Sequence, residues 1–561
     1  MIENNTKIES YAGFTIGPIY EVLSSARKTR ELWFASYFFS WFMEEIIKKL
    51  FCNENIRFIT PYVSGTDIPN ISSIGKYHDR FILRSCLDRE ELFEDIQKAS
   101  DETLDYFIEL IDSLVNSKAQ YINGSSKKSA EDILKDYIQR NFVVLNSTAV
   151  EESKVVETIN RYLDSMEENR YFKTGINEKT CFVCKTLPAV INAEIYVKEP
   201  GRARGESKSK ELCPLCFIKY YCLMSDEVKK KIGNENFKYP SVLKISAVEL
   251  LTEDVEKEIS ASNSYEEDFD FKEIEQAVRS KCYGNNKEVN SLLKKSYFKY
   301  FAIIQSDGDN LGKVLDRLDN FKKIEEFSKS LFDFAEEARK IIEKYKGYTI
   351  YAGGDDILAL APVAFKNSNG KVETVIDLAI KLSKAYREFV GEKYSGTTLS
   401  IGVNVAYYKF PLSIALKNAR SQLFNKAKSG DKNSLAVLLT KHSGHQIEFK
   451  FKFDSKEIDL FSKLLSGTLV EEFEFPNSMH HNLSRFKKLI TYIPDKNRLE
   501  AFFENNFNEP VHRNSKYSQG IKEVENYFKE VMFSSVPDKR LGCVEDILSK
   551  LAFIKFLRGK K

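Results

Sequence analysis

Two short acidic turns constrain this chain more than any other feature. An apolar, β-prone run from Tyr297 to Gln305 ends in Ser306-Asp307-Gly308-Asp309, and after a helical pattern, roughly Leu311 to Lys346, a second apolar run breaks at Gly353-Gly354-Asp355-Asp356. The flanks of that second turn, Tyr348 to Ala352 and Ile357 to Val363, read as the two arms of a β-hairpin. A helix at Val372–Val390, a strand at Thr398–Tyr407, a helix at Leu412–Lys428 and a strand at Ser434–Thr440 follow. The resulting β-α-β-β-α-β-α-β order suits a ferredoxin-like sheet.

In such a sheet Asp307, at the end of one strand, comes beside Asp355 and Asp356 on the turn of its neighbour. Gly-Gly-Asp-Asp alone is commonly just a hairpin turn; what gives it chemical meaning is a strand-terminal Asp-Gly-Asp one helix upstream. Hard carboxylate oxygens favour Mg²⁺ or Mn²⁺. A pair of such ions can activate a hydroxyl, bridge a triphosphate and neutralise a leaving group, which is most of what nucleotidyl transfer requires. Gly353 and Gly354 permit φ > 0 and close phosphate approach, and Gly308 and Asp309 flank the same site. Asp309 has a competing reading as a helix N-cap, so its role is secondary.

The rest of the chain is more than a minimal cyclase needs. Its 561 residues predict about three to five units. With 84 Lys plus Arg against 82 Asp plus Glu, global charge does not announce nucleic-acid binding, and any anionic partner must be held by local patches. The nine cysteines, four of them in two CxxC pairs, read as a reducing, cytoplasmic compartment with one metal site. No signal-peptide pattern opens the chain, and no stretch predicts a membrane span. The most apolar early run, Leu32 to Phe51, carries Glu44, Glu45, Lys48 and Lys49 and reads as a buried helix.

Cys181-Phe-Val-Cys184 and Cys213-Pro-Leu-Cys216 place four thiolates in reach of one Zn²⁺. Four sulfur ligands leave no open position, so the zinc is structural. Cys222 reads as a buried free thiol. Arg27, Lys28 and Arg30, and separately Arg202, Arg204, Lys208 and Lys210, are basic clusters that read first as solvated surface, with RNA contact as the alternative. The six histidines are scattered, and none suits a Ser-His-Asp or Cys-His nucleophile.

Residues 14–51 predict a long core helix, 56–63 a strand, and 89–168 a charged helical stretch, together a small α/β unit over residues 1–170. A zinc-binding element over 171–238, a helical connector over 239–295, the palm over 296–455 and a helical bundle over 456–561 complete the organisation.

The motifs Ser306-Asp307-Gly308-Asp309-Asn310-Leu311-Gly312-Lys313 and Tyr351-Ala352-Gly353-Gly354-Asp355-Asp356 resemble the catalytic palm of the large subunit of type III CRISPR effector complexes, Cmr type (III-B). Phe14-Thr15-Ile16-Gly17-Pro18, Pro240-Ser241-Val242, Ala427-Lys428 and Gly430-Asp431-Lys432-Asn433 resemble further landmarks of that family, in order. The resemblance implies an α+β fold with two ferredoxin-like, nucleotide-cyclase-like palms, a four-cysteine zinc element and helical domains. It further implies an antiviral RNA-guided complex in which target RNA switches on nucleotide synthesis from ATP, with cyclic oligoadenylate as the usual product.

By the same resemblance Asp307, Asp355 and Asp356 are metal ligands and Lys428 contacts triphosphate. Guide RNA, other subunits and a small helical subunit docked on the C-terminal helices are the implied partners. Many relatives begin with an HD nuclease domain. Here the first palm-like motif starts at Phe14, and His78-Asp79 has no second histidine nearby, so no HD nuclease is expected. Relatives lacking that domain point to S-adenosylmethionine as an alternative acceptor of the adenylate. A free-standing diguanylate-cyclase-like enzyme or template-dependent polymerase, and a non-catalytic RNA scaffold, are the remaining readings.

Overall fold

The computed structural model describes residues 8–63, 73–169, 179–197, 205–262, 270–281, 286–367, 369–476, 478–507, 515–534 and 536–559. Arg202 and Arg204 lie outside them.

The N-terminal unit contains β1 (Ser10–Gly17), β2 (Ile56–Thr60), β3 (Arg80–Ser85), β4 (Ala119–Tyr121) and β5 (Gln139–Asn146). Four of these form an antiparallel sheet in the order β2-β3-β1-β5. That is a ferredoxin-like order. Two sequence expectations change here. Phe14 to Gly17 belong to a strand, and the core helix starts only at Thr29. The stretch 89–168 is not all helix: Phe142-Val143-Val144-Leu145 form the edge strand β5 between helices Lys127–Tyr137 and Val155–Glu168. Polar neighbours on both sides, Gln139-Arg140-Asn141 and Asn146-Ser147-Thr148, leave only that four-residue apolar run to mark the strand.

Helix Thr29–Phe51 is buried on nearly every side, as a helix apolar all round must be. Trp33, Phe38, Trp41 and Phe42 interlock with Phe107 of helix Arg89–Lys118 and with Phe237 and Tyr239. The helix also packs against strand Tyr348–Gly353 of the second large sheet. The cysteine region adds β6 (Ile191–Val197) and β7 (Glu206–Leu212), which pair with each other and, through β6, with β4.

The second large sheet uses β8 (Tyr300–Asp309), β9 (Tyr348–Gly353), β10 (Asp356–Pro362), β13 (Thr398–Tyr407), β14 (Ser434–Thr440) and β15 (Gln446–Lys452); β11 (Ala364–Lys366) and β12 (Val372–Thr374) form a separate small hairpin. Its order is β15-β14-β13-β8-β10-β9. The inner four, β13-β8-β10-β9, repeat the ferredoxin-like arrangement of the first sheet; β14 extends it in parallel and β15 antiparallel. The expected helix 311–346 is two helices, Leu311–Leu315 and Phe321–Lys344. The expected 372–390 helix begins only at Val375, behind β12, with Thr374 and Asp377 forming a capping box.

One face of this second sheet packs against the N-terminal unit and the other against the connector helices and the C-terminal helices. After β15 every described element is helical. Among the described residues no helix is long and apolar enough to cross a membrane.

Candidate nucleotidyl-transfer site

β8 is the central strand, and its register places the site. Ser306 pairs with Ile357 of β10 on one side, while Asp307 pairs with Ser400 of β13 on the other. Asp307 therefore emerges at the same end of the sheet as the β9–β10 turn. In that turn Gly353 pairs with Asp356 across the two-residue loop Gly354-Asp355, with φ of +66° at Gly354. A positive φ at the first loop position alone is the pattern of a type II′ hairpin turn, which selects glycine there.

The three expected metal ligands come together: Asp307, Asp355 and Asp356 each offer a carboxylate oxygen, all within 4.8 Å of one another. Asp355 Oδ2 also accepts the Gly308 N–H at 3.1 Å. A Cβ on Gly308 would meet that same oxygen at 2.9 Å, so the glycine is what lets Asp355 close on the β8 end. Desolvation pushes both Asp355 and Asp356 above the usual carboxylate range; at Asp356 the Asp355 and Asp79 charges add to it, while His78 opposes the shift at Asp355 and Arg420 at Asp356. Carboxylates crowded in this way are stabilised by a cation among them.

Lys428 supplies one positive charge. It forms an ion pair with Asp307 and donates to Gly308 O at 2.8 Å. It follows a π-helical turn, Gln422–Ala427, in which the Lys428 N–H reaches back to Leu423 O. That extra residue re-aims the side chain from the helix face toward the sheet end. Burial, with the Lys432 ammonium close by, pulls the Lys428 amine down to about 8, while the Asp307 contact favours its charged form.

Asp309 is placed differently from its neighbour. Its carboxylate is fully buried and accepts from Thr398 Oγ1 at 2.8 Å, from Ser400 Oγ at 2.8 and 3.0 Å, and from the Asn433 N–H at 3.0 Å. With its oxygens thus occupied, it ties β8 to β13 and to the loop before β14, and it turns away from the metal-type cluster. Nor is it the helix cap, since Asn310, in a left-handed conformation, holds that position. Gly353 and Gly354 are also demanded by protein neighbours: a Cβ at Gly353 would collide with the Tyr351 hydroxyl, and one at Gly354 would meet His78 Nε2 at 2.5 Å. Sequence periodicity carries no hint of His78 at this turn, because that residue belongs to the other ferredoxin-like unit.

Beside Asp356, between the two sheets, lies a cavity of about 380 Å³. Thr15, Glu21, His78, Asp79, Gln139, Asn141 and Glu167 line it from the N-terminal unit; Ser306, Tyr351, Asp356 and Arg420 line it from the other side. Glu167 accepts from Arg80 and from Thr15. Desolvation raises the Asp79 carboxyl, with Glu167 adding to it and His78 and Arg80 opposing.

The cysteines form the second cluster. Cys181, Cys184, Cys213 and Cys216 bring their sulfurs within 4.8 Å of one another. The Val183 N–H approaches Cys181 Sγ and the Cys216 N–H approaches Cys213 Sγ, both at 3.4 Å, which orients two thiolates of a knuckle. The set fits a tetrahedral zinc. Cys222 is buried outside it and turns its thiol to Lys219 O. Arg27, Lys185 and Lys210 surround the Phe182 ring, and Lys28 and Arg30 lie over Tyr220, so the first basic cluster packs onto the cysteine element.

Two ferredoxin-like units in one chain, with a carboxylate cluster at the sheet end of the second, are the arrangement of a palm-type fold. The profile of the Cas10/Cmr2 second palm domain matches residues 300–436, and that of the CRISPR-associated protein Cmr2 N-terminal region matches residues 11–109. The chain is thus similar to Cas10/Cmr2 proteins in both of its ferredoxin-like units.

It is similar to the CRISPR system Cmr subunit Cmr2 of Pyrococcus furiosus, 24% identical over 548 residues, an alignment covering 76% of this chain and 61% of that protein. The chain thus spans less than two thirds of that relative's length. Among solved structures, the fold is similar to a chain of the type III-B Cmr-beta complex bound to cognate target RNA, with TM-score 0.59, 13% identity, and 90% of this chain and 78% of that one covered. The apo state of Cmr-beta gives 0.57, 13%, 88% and 76%.

Proposed function

We propose that this chain is the catalytic subunit of an RNA-guided antiviral complex, and that on target-RNA binding it transfers adenylate from ATP to make a nucleotide messenger. The observation that carries the reading is the convergence of Asp307, Asp355 and Asp356 with Lys428 at one sheet end. Asp307, Asp355 and Asp356 would hold Mg²⁺ or Mn²⁺, and those ions would supply the charge that activates the attacking hydroxyl and neutralises pyrophosphate. Lys428, already poised on Asp307, would move its charge to the triphosphate when a metal takes the carboxylate. The four cysteines would hold a structural zinc. His78 and Asp79 serve the cleft between the palms, and we assign them no nuclease role.

The acceptor decides the product. A cyclic oligoadenylate needs a second adenine nucleotide as acceptor, and the similarity to Cas10/Cmr2 palms supports it. A specific observation favours the other acceptor, S-adenosylmethionine. The cavity beside Asp356 is lined by Glu21, Asp79 and Glu167, the last already paired with the Arg80 guanidinium, against Arg420 on the opposite wall. A second triphosphate brings several negative charges to that wall; S-adenosylmethionine brings a sulfonium and an ammonium. The charge of the cavity therefore supports an adenylated S-adenosylmethionine.

The purified complex with target RNA, Mg²⁺ and ATP, with and without S-adenosylmethionine, tests both. A product whose mass is S-adenosylmethionine plus AMP less one water, formed with release of pyrophosphate, is expected, and Asp79→Asn with Glu167→Gln should raise the KM for S-adenosylmethionine at least tenfold while leaving that for ATP near its original value. Cyclic oligoadenylate formed regardless of S-adenosylmethionine would return the first acceptor. No nucleotide product of either kind would leave the scaffold reading.

A further inference from the structure

The segment Ser73–Asp79 of the N-terminal palm lies across the hairpin that carries Asp355 and Asp356, and it is fastened to both palms. On its own side, Ser73 O accepts from Trp33 Nε1 at 2.6 Å and the Tyr77 N–H donates to Ser40 Oγ at 2.9 Å, both on the buried helix Thr29–Phe51. A Cβ on Gly75 would meet Ser40 Cβ at 2.6 Å, so the strap is pressed flat against that helix. On the other side, Gly75 forms a parallel β-bridge with Tyr351 of β9, and Lys76 pairs with Glu336 of helix Phe321–Lys344 at 3.2 Å.

His78 carries the strap to the turn. Its Nδ1 lies 2.9 Å from the Tyr351 hydroxyl, and its Nε2 occupies the space a side chain at Gly354 would need. The Tyr351 hydroxyl in turn fills the corresponding space at Gly353. The glycine pair is thus gripped on one side by a phenol from its own strand and on the other by an imidazole from the other palm, and a hydrogen bond joins the two. Desolvation and the surrounding carboxylates push the phenol well above its ordinary value, so it stays protonated and is a standing donor. His78 is not a member of the carboxylate cluster.

We propose that His78 is a positioning residue: through Tyr351 it fixes the turn bearing Asp355 and Asp356, so that the N-terminal palm sets the geometry of the other palm's metal site. The proposal rests on reading those carboxylates as that site. Its consequence is that any shift of one palm relative to the other is transmitted to the metal ligands through one imidazole.

The test combines Mn²⁺ binding to the full chain, followed by electron paramagnetic resonance, with adenylyl transfer by the assembled complex with target RNA, ATP and Mg²⁺. His78→Ala and Tyr351→Phe should each lower kcat on the order of 10- to 100-fold, the cost of a misplaced reacting group, with a much smaller change in the KM for ATP. Both should weaken Mn²⁺ binding without lowering the melting temperature by more than a few degrees.

Because they act through one hydrogen bond, the double variant should lose no more than the worse single variant. His78→Asn, whose amide reaches the Nδ1 position, should restore most of the loss; His78→Gln, whose amide reaches the Nε2 position, should not. Equal damage from Asn and Ala, multiplicative losses, or Mn²⁺ binding and kcat unchanged in His78→Ala would each overturn the proposal. A wild-type chain that binds Mn²⁺ but forms no nucleotide product would sink the proposed function instead, and the Mn²⁺ series would still decide the role of His78.

Discussion

Asp307 and Asp309 stand two residues apart on one strand and serve opposite ends. A strand's alternation puts both on the same face in principle. Hydrogen bonding separates them: Thr398, Ser400 and the Asn433 N–H draw the Asp309 carboxylate into the protein, whereas Asp307 stays at the cleft beside Lys428. Asp309→Ala should therefore act on stability. It leaves the buried Ser400 hydroxyl and the half-buried Thr398 hydroxyl and Asn433 N–H without their acceptor, at about 1–3 kcal/mol for an unsatisfied buried group, and calorimetry should find a lower melting temperature with or without metal.

Asp356→Asn should do the reverse. A carboxyl whose folded pKa is raised above its unfolded value makes a contribution to stability that is full below the unfolded value and is lost as pH rises through the raised folded value. At neutral pH the metal-free wild type thus carries a penalty that the amide relieves. The variant should melt no lower than wild type without metal and lose most of the stabilisation that Mn²⁺ gives wild type. That stabilisation amounts to about 2.7 kcal/mol at a hundredfold excess over Kd. Product formation should fall by at least two orders of magnitude.

At the scale of elements, the second palm was the legible part. Strands β9, β10, β13 and β14 lie within a residue or two of where apolar runs and turn residues put them, because each is bounded by glycine or by a polar turn. What the sequence could not reveal was set by contacts distant along the chain. β5 has only four consecutive apolar residues among polar ones, and its strand character comes from pairing with β1 along its full length. The π-helical turn before Lys428 looks like ordinary helix in period; Gly402, against which the Leu423 backbone packs, marks where that helix is pressed onto β13.

The convergence of the four cysteines was legible in their spacing, but the attachment of that element was not. Cys213 caps helix Pro214–Tyr221, and Lys219 of that helix, almost fully buried, donates to Val22 O at 3.1 Å and to Ser25 Oγ at 2.6 Å. The zinc element therefore buttresses the start of the N-terminal palm. Cys184→Ser should abolish the bound zinc, measured by mass spectrometry of the intact chain. It should also raise amide exchange in Ile19–Ser24 as well as around the knuckles, while exchange in β14 and β15 stays at the wild-type level.

For the whole molecule, the important fact is that both faces of the second sheet are covered by other parts of the chain. Phe301, Ile303, Ile350, Leu358 and Leu360 point to the core shared with Trp33, Tyr37 and Phe38 of the N-terminal unit. Ala302, Ile304, Val403 and Val405 point to the core shared with connector residues such as Leu243 and Ile274, and C-terminal residues such as Phe553 and Ile554. Burying a large apolar side chain contributes about 1.5–3 kcal/mol, so the five on the first face alone represent roughly 10 kcal/mol, comparable to the net stability of ~5–15 kcal/mol typical of a folded protein. The palm at 296–455 is thus not an independent body to which the rest is attached. Expressed alone, that fragment should be insoluble or bind hydrophobic dye strongly, while the full chain should unfold with the N-terminal and palm regions losing structure together, as followed by hydrogen exchange under denaturant. A soluble fragment with a sharp melting transition and wild-type Mn²⁺ affinity would refute this. It would also mean that the N-terminal palm, with its strap across the turn, is dispensable for the metal site, which the packing on both faces of the sheet argues against.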